Sequence, residues 1–451
     1  MTLIAAVLAG ICLLLILILY FRIQAFIALL TASIAVGLLA GLNPDEINHT
    51  ILEGMGSTLG FVATVIGLGV IFGSILEHSG GASVIAQKML AKFGAEKAPL
   101  AMVTSGFIIA IPVFFEVAFI ILAPIIFVLQ KQTGKSLLLY AIPLLAGLAV
   151  THAFIPPTPG PIAVASIIDA DLGMVILLGM IVGLPTAIVS GLMFGKFIAG
   201  KIHIEAPEEF LKDLDVEHES LPGVGSVLTL IGIPIFLILL NTTLSSSIFL
   251  SENLPYFIIS TIELIGHPIP ALIIANLLAW YYLGIKRNYS KEELSDITTK
   301  SMMPAGAVIL LTGAGGVFKQ VLVDTGAGEM LAETMTEYGI PILLLAYLAA
   351  VAIRVLQGSA TVAMITAAGL VSPLIAGIAM TEIELAALVI AIAAGASILS
   401  HVNDSGFWLV SQYLGMTEEE TFKSWTMMTT ILSLTGFLCI SVIYMLYKSF
   451  V

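Results

Sequence analysis

Residues 397–410 read SILSHVNDSGFWLV. The stretch before them, ELAALVIAIAAGA, is as apolar as a membrane-spanning helix. Ser400, His401, Asn403, Asp404 and Ser405 then arrive almost together, and the chain returns at once to Phe407, Trp408 and Leu409. An Asp at the centre of a spanning helix costs about 2.5–3.5 kcal/mol even on the lenient insertion scale. Unwound backbone at membrane depth is tolerated only where it is buried in protein or lines a wet cavity. The stretch therefore predicts a spanning segment broken at its midpoint, with partners across a cavity.

The rest of the chain fits that setting. It has 451 residues, 59% hydrophobic and 10% charged, with a mean hydropathy of +1.10. Soluble domains carry about 25% charged residues, so a water-solvated surface is excluded. Apolar runs fall near 3–20, 24–42, 57–77, 98–130, 137–168, 173–198, 224–248, 257–283, 302–323, 341–376, 385–411 and 425–447. Most can cross a hydrocarbon core about 30 Å thick, which predicts an all-α polytopic membrane protein in a lipid bilayer. The formal net charge of −13 argues against nucleic acid as a partner. Cys12 and Cys439 both lie in apolar runs and imply no disulfide framework. The first run is followed by Arg22 with no basic residue before it, opposite to a cleavable signal, and is expected to be retained.

Residues 98–130 and 341–376 are too long for one straight crossing, about 50 Å each at 1.5 Å per residue. Each is punctuated near its middle, by AIPVFFE (110–116) and LQGSAT (356–361), and is expected to form a re-entrant hairpin. Runs 137–168 and 385–411 carry breaks, AFIPPTPGP (153–161) and HVNDSG (401–406). Proline removes a donor and disrupts the preceding turn, so the first of these is not one helix. With the N-terminus outside and the hairpins returning, all but Lys319, Arg354 and Lys448 of the 17 basic residues fall on the cytoplasmic side, as the positive-inside rule requires. Both termini are then extracytoplasmic.

Two inverted repeats are expected, each with five transmembrane helices (one broken) and a re-entrant hairpin. They cover 1–198 and 223–451, joined by the acidic linker 199–222 on the cytoplasmic side. An odd number of crossings per half inverts the second. GVIFGSILEHSGGA (69–82) aligns without gaps with GGVFKQVLVDTGAG (315–328), pairing Gly69 with Gly315 and Phe72 with Phe318. Thr151-His152 likewise pairs with Ser400-His401. Inverted repeats with discontinuous helices mark secondary transporters, whose site lies where the breaks meet. Helix N-termini at a break suit a carboxylate.

Asp404 and His401 are candidate proton-coupling groups; alternatively Asp404 caps the second half-helix and His401 is a satisfied interior residue. Ser400, Asn403 and Ser405 are candidate ligand donors. At the facing tip, Gly358 permits close backbone approach while Ser359 and Thr361 offer hydroxyls. Arg354 either counters a substrate carboxylate or is locked to Asp404 or Glu116. Glu116, isolated in PVFFEVAFIIL, is a proton-relay candidate, as is His152. Thr158 and Gly160 offer a hydroxyl and open backbone beside the prolines. Lys319 is expected to snorkel to the interface. Neither a catalytic residue, a metal ligand nor a cofactor site is expected: HExxH, GxxxxGK[ST] and GxSxG motifs do not occur.

GGVFKQVLVDTG, RVLQGSATVAMITAAG, SHVNDSGFWLV and THAFIPPTPGP, in their relative positions, closely resemble the gluconate permease family of the ion transporter superfamily. The resemblance runs essentially end to end. It implies a bacterial inner-membrane carrier importing gluconate or a related sugar acid with protons, while some relatives take other small hydroxylated acids, including D-serine. It further implies a homodimer with a scaffold and a moving transport domain that works as an elevator. A cation/proton antiporter on a related fold is the reading from another class.

Overall fold

The structure, a computed structural model, describes residues 3–207, 221–245, 255–326, 341–375, 378–402 and 404–450. Among these residues every regular element is helical. The first half contains Leu3–Leu19 (α1), Ala25–Ala40 (α2), Pro44–His78 (α3), Gly81–Phe93 (α4), Ala98–Ile109 (α5), Phe115–Thr133 (α6), Leu138–Phe154 (α7), Pro159–Ile167 (α8) and Leu172–Ala199 (α9). The second contains Val224–Ser245 (α10), Tyr256–Gly266 (α11), Pro268–Arg287 (α12), Lys291–Asp324 (α13), Ile342–Gln357 (α14), Ala360–Ile375 (α15), Glu382–Ala396 (α16), Ser405–Tyr413 (α17) and Glu418–Phe450 (α18). Among the described residues, eight segments are long and apolar enough to cross a membrane. The chain is a multi-pass membrane protein.

The longest helices, α3 and α13, begin well before the apolar runs that announce them. Each starts on a reciprocal cap. The Asn43 side chain accepts from the Glu46 N–H while Glu46 accepts from the Asn43 N–H, and Ser290 and Glu293 repeat the arrangement. Satisfying two otherwise orphaned donors lets a polar first turn extend an apolar helix. The two helices lie against each other at near backbone contact. A Cβ on Gly54 would stand 2.7 Å from Val317 Cα, and one on Gly316 would stand 2.0 Å from Thr58 Oγ1. Small residues permit this approach, which drives helix association where lipid removes the hydrophobic incentive. Thr50 also donates to Asp324 at 2.6 Å.

The four interruptions have separate local causes. Between α5 and α6, Pro112 removes a donor and Phe114 is extended. Between α7 and α8, Ile155 is extended and consecutive prolines precede Pro159, the first residue of α8. Between α14 and α15, Gly358 takes φ +91°, a left-handed geometry that only glycine adopts freely. Between α16 and α17, Leu399 turns with φ +45° and Asp404 caps the new helix by accepting from Gly406 N–H at 3.1 Å. The first segments of the two broken helices, α7 and α16, are buried on nearly all sides.

Two expectations change. The run 257–283 is not one helix: His267 is extended, its ring accepts from Ile269 N–H at 3.4 Å, and Pro268 opens α12. Lys319 does not simply snorkel, because its ammonium donates to Asp169 at 2.6 Å, just past α8. The start of the linker is pinned, with Ser136 Oγ donating to Ile202 O at 2.8 Å and accepting from Ile204 N–H at 3.2 Å. Linker positions 208–220 lie outside the described residues.

Candidate functional site

All four interruptions open onto one cavity of about 140 Å3. Its wall includes the first turns of α6 (Phe115, Glu116), α8 (Gly160), α15 (Ala360, Thr361) and α17 (Ser405, Gly406). Each helix begins at its break, so four N-termini face one space. A helix N-terminus carries roughly half a positive charge. Ser359, Arg354, Asp404, His152, Ser397, Trp425 and Thr429 complete the polar lining.

Arg354 is 3% exposed. Its Nη2 donates to Asp404 Oδ2 at 2.5 Å and its Nε to Ile398 O at 3.2 Å, while Nη1 is buried without a hydrogen-bond partner. Asp404 has three donors: Arg354 and Ser400 Oγ on Oδ2, and Gly406 N–H on Oδ1. Ser400 is itself fully buried and fixed by Trp425 Nε1, which donates to its Oγ at 2.6 Å. Its N–H donates to Thr429 Oγ1 at 3.2 Å, and its carbonyl accepts from Thr426 Oγ1. The ion pair is thus seated in a network that reaches the start of the last span.

The candidates read from the sequence divide on this geometry. Arg354, Ser359, Thr361, Asp404, Ser405, Glu116, His152 and Gly160 line the cavity. Gly358 stands off the wall and supplies the turn that places Ser359 and Thr361. Ser400 points away from the cavity into the hydrogen bonds that hold Asp404. His401 donates through Nε2 to Val355 O at 2.9 Å, which ties its loop to α14. Thr158 is buried and donates to Ile155 O at 2.7 Å. Asn403 lies outside the described residues. His152 presents a buried Nδ1 without a partner, and its ring packs 6.1 Å from that of Phe114.

Trp425 and Thr429 escaped the sequence reading. Their signal is a short hydroxyl-rich stretch, KSWTMMTT (423–430), at the start of an otherwise apolar span. The Trp425 ring also packs 5.4 Å from Phe115, bringing α18 against the first hairpin. Among the described residues no group of three or more His, Cys, Asp or Glu side chains stands in metal-binding reach.

A second and larger cavity, about 930 Å3, lies on the other side of the α14–α15 tip. Ser359 and Thr361 line both spaces, and the outer one is completed by Arg22, Gln24, Val308, Leu311 and Gln357. The tip therefore stands between the two spaces.

Comparison with known proteins agrees with this architecture. The GntP family permease pattern matches residues 1–446. The low-affinity gluconate transporter of Escherichia coli K12 is 41% identical over 436 residues, covering 97% of each chain. A gluconate permease of Pseudomonas aeruginosa is 40% identical over 427 residues, covering 94% of this chain and 93% of its own. A crystal structure of the Alcanivorax borkumensis YdaH transporter superposes with a TM-score of 0.65 at 15% identity, covering 94% of this chain and 98% of that one, which speaks for the fold alone. With an end-to-end family match and a cavity built from broken helices, the chain belongs to the GntP permease family and is a membrane transport protein, not an enzyme.

Proposed function

We propose that this transporter imports gluconate or a related sugar-acid anion together with protons, by elevator-type alternating access. The observation that carries the reading is the meeting of four helix N-termini and a buried arginine on one cavity. Such a surface favours a carboxylate. The hydroxyls of Ser359, Thr361 and Ser405 on the same wall suit a polyhydroxylated chain. Gluconate is also the substrate named for relatives about 40% identical over nearly the whole length. Asp404, Glu116 and His152 on the cavity, with His401 beside it, are the groups able to carry a proton.

In this reading the two halves are inverted repeats. The long pair α3 and α13, with their neighbouring arms, form the scaffold of a homodimer. The hairpins and broken helices form the moving part, and both chain ends lie outside the bacterial inner membrane. D-serine or a short hydroxy acid is the rival substrate, since it needs the same carboxylate seat with fewer hydroxyl contacts. Cation/proton antiport on a related fold would use Asp404 but leave the four N-termini without an anion.

Uptake by purified protein in proteoliposomes under an imposed inward proton gradient tests this. Labelled gluconate should accumulate, lose its accumulation with a protonophore, and be competed more strongly by glucuronate than by D-serine or glycerate. Proton movement driven by a cation without any organic anion would replace the reading with antiport.

A further inference from the structure

We propose that Asp404 holds the substrate's place on Arg354 in the empty carrier and leaves it, protonated, when the substrate carboxylate arrives. The proposal rests on the cavity being an anion site and specifies how that site is coupled to the proton.

The guanidinium is half used. Arg354 lines the cavity; its Nε is held by Ile398 O and its Nη2 by Asp404 Oδ2, while Nη1 is buried and bonds nothing. With Nε held by Ile398 O, a carboxylate gripped by two parallel N–H bonds must take one N–H from each of Nη1 and Nη2. Asp404 Oδ2 already sits on Nη2, so the arriving carboxylate meets a second anion at the same nitrogen. Substrate and Asp404 therefore compete for one positive charge.

Charge decides how that competition resolves. The empty pocket holds Arg354 cationic and Asp404 anionic, and the pair is neutral. A monoanion added to it would leave one uncompensated charge at membrane depth, which is strongly disfavoured. One proton from the aqueous side, taken up on Oδ2, restores neutrality: the substrate carboxylate pairs with Arg354 while Asp404 becomes the neutral acid. Oδ1 continues to accept from Gly406 N–H, so the cap of α17 is kept. Ser400 can follow the change by reversing its role: its hydroxyl now donates to Oδ2, and once Oδ2 is protonated the hydroxyl rotates away and Oγ, which already accepts from Trp425 Nε1, accepts from Oδ2–H instead. The loaded carrier then holds one proton and one anion, and the empty carrier returns with its own ion pair closed.

The groups facing Asp404 are Arg354 from α14, His401 from its own loop, Ser400, and Trp425 from α18, with Glu116 of α6 and His152 of α7 on the same cavity wall. Glu116 and His152 are the rival proton carriers.

The test measures gluconate binding to the purified full chain in weakly buffered detergent solution containing a pH-indicator dye. Wild type should take up one proton per gluconate bound, and its affinity should fall about tenfold per pH unit across the range in which binding carries the proton. In Asp404→Asn, gluconate binding should carry no proton and vary little with pH. Wild-type binding without proton uptake overturns the exchange whether or not any variant folds. So does proton uptake that survives in Asp404→Asn and disappears in Glu116→Gln or His152→Gln. If wild type binds neither gluconate nor glucuronate, the anion-site reading itself fails, and the exchange falls with it.

Discussion

A side chain on Gly73 would collide with Pro112: a Cβ placed there stands 2.0 Å from the Pro112 carbonyl oxygen. The tip of the first hairpin thus lies directly on the backbone of α3. One turn earlier, a Cβ on Gly69 would stand 3.2 Å from Pro157 O at the break between α7 and α8. Two interruptions of the site rest on one glycine-lined face of α3. Gly73→Ala should destabilise the protein by about 1–3 kcal/mol through overpacking and abolish gluconate uptake. Gly67→Ala, where nothing lies within 4 Å, should change neither. Thermal midpoints in detergent and uptake in proteoliposomes check both, and normal transport by Gly73→Ala would show that this contact does not matter.

The Arg354–Asp404 pair predicts a non-additive stability cycle. Both side chains are mostly buried, at 4% and 14% exposure. Removing one partner leaves the other charge buried and unpaired, at a cost of about 3–5 kcal/mol. Arg354→Gln and Asp404→Asn should each lower the thermal midpoint, while the double variant should recover much of the loss without restoring the gluconate binding that Arg354→Gln abolishes. Strict additivity of the two effects would mean that the partners are not coupled in the folded protein.

Trp425 provides an optical report on the site. It donates to Ser400, packs on Phe115 and lines the cavity, and the chain has only three tryptophans, so Trp280→Phe with Trp408→Phe isolates it. Gluconate should alter the emission of that single tryptophan in a saturable way. An unchanged spectrum in protein that still binds labelled gluconate would place the ligand elsewhere.

Much of this was legible because interruptions at membrane depth leave a compositional mark. QGSAT, PPTPGP and HVNDSG each announce a break, and Gly358 announces a left-handed turn. Where a polar side chain points after the helix unwinds is a different matter. Ser400 turns into protein and Ser405 towards the cavity, although the two lie five positions apart on the same broken segment. The partners that decide this come from far along the chain, Arg354 from α14 and Trp425 from α18. Hydropathy likewise hides the polar first turns of α3 and α13, which exist because of caps at Asn43 and Ser290. Lys319 looked like an interfacial lysine because its partner Asp169 lies 150 residues away.

That last pair leads to a prediction about movement. The alignment that matches Gly69 with Gly315 also matches Gly73 with Lys319. The first tip rests at Gly73, yet the second tip shares the larger cavity with Val308 and Leu311 of α13, well short of Lys319. Under the proposed elevator reading, a difference of this kind between α3 and α13 is what a carrier open to one side would show. If the halves exchange roles during transport, the second tip travels to Lys319, about 12–17 Å along α13 at 1.5 Å per residue. The Lys319–Asp169 pair offers little resistance, because Asp169 is 78% exposed and exposed pairs contribute about 0–1 kcal/mol. With Cys12 and Cys439 replaced by Ala, cysteines at 308 and 359 should cross-link in the present state. Cysteines at 319 and 359 should cross-link only once the carrier faces the opposite side. Either bond should stop uptake until it is reduced. A carrier that transports normally while the 319–359 pair never forms under any substrate or pH condition would rule out this path.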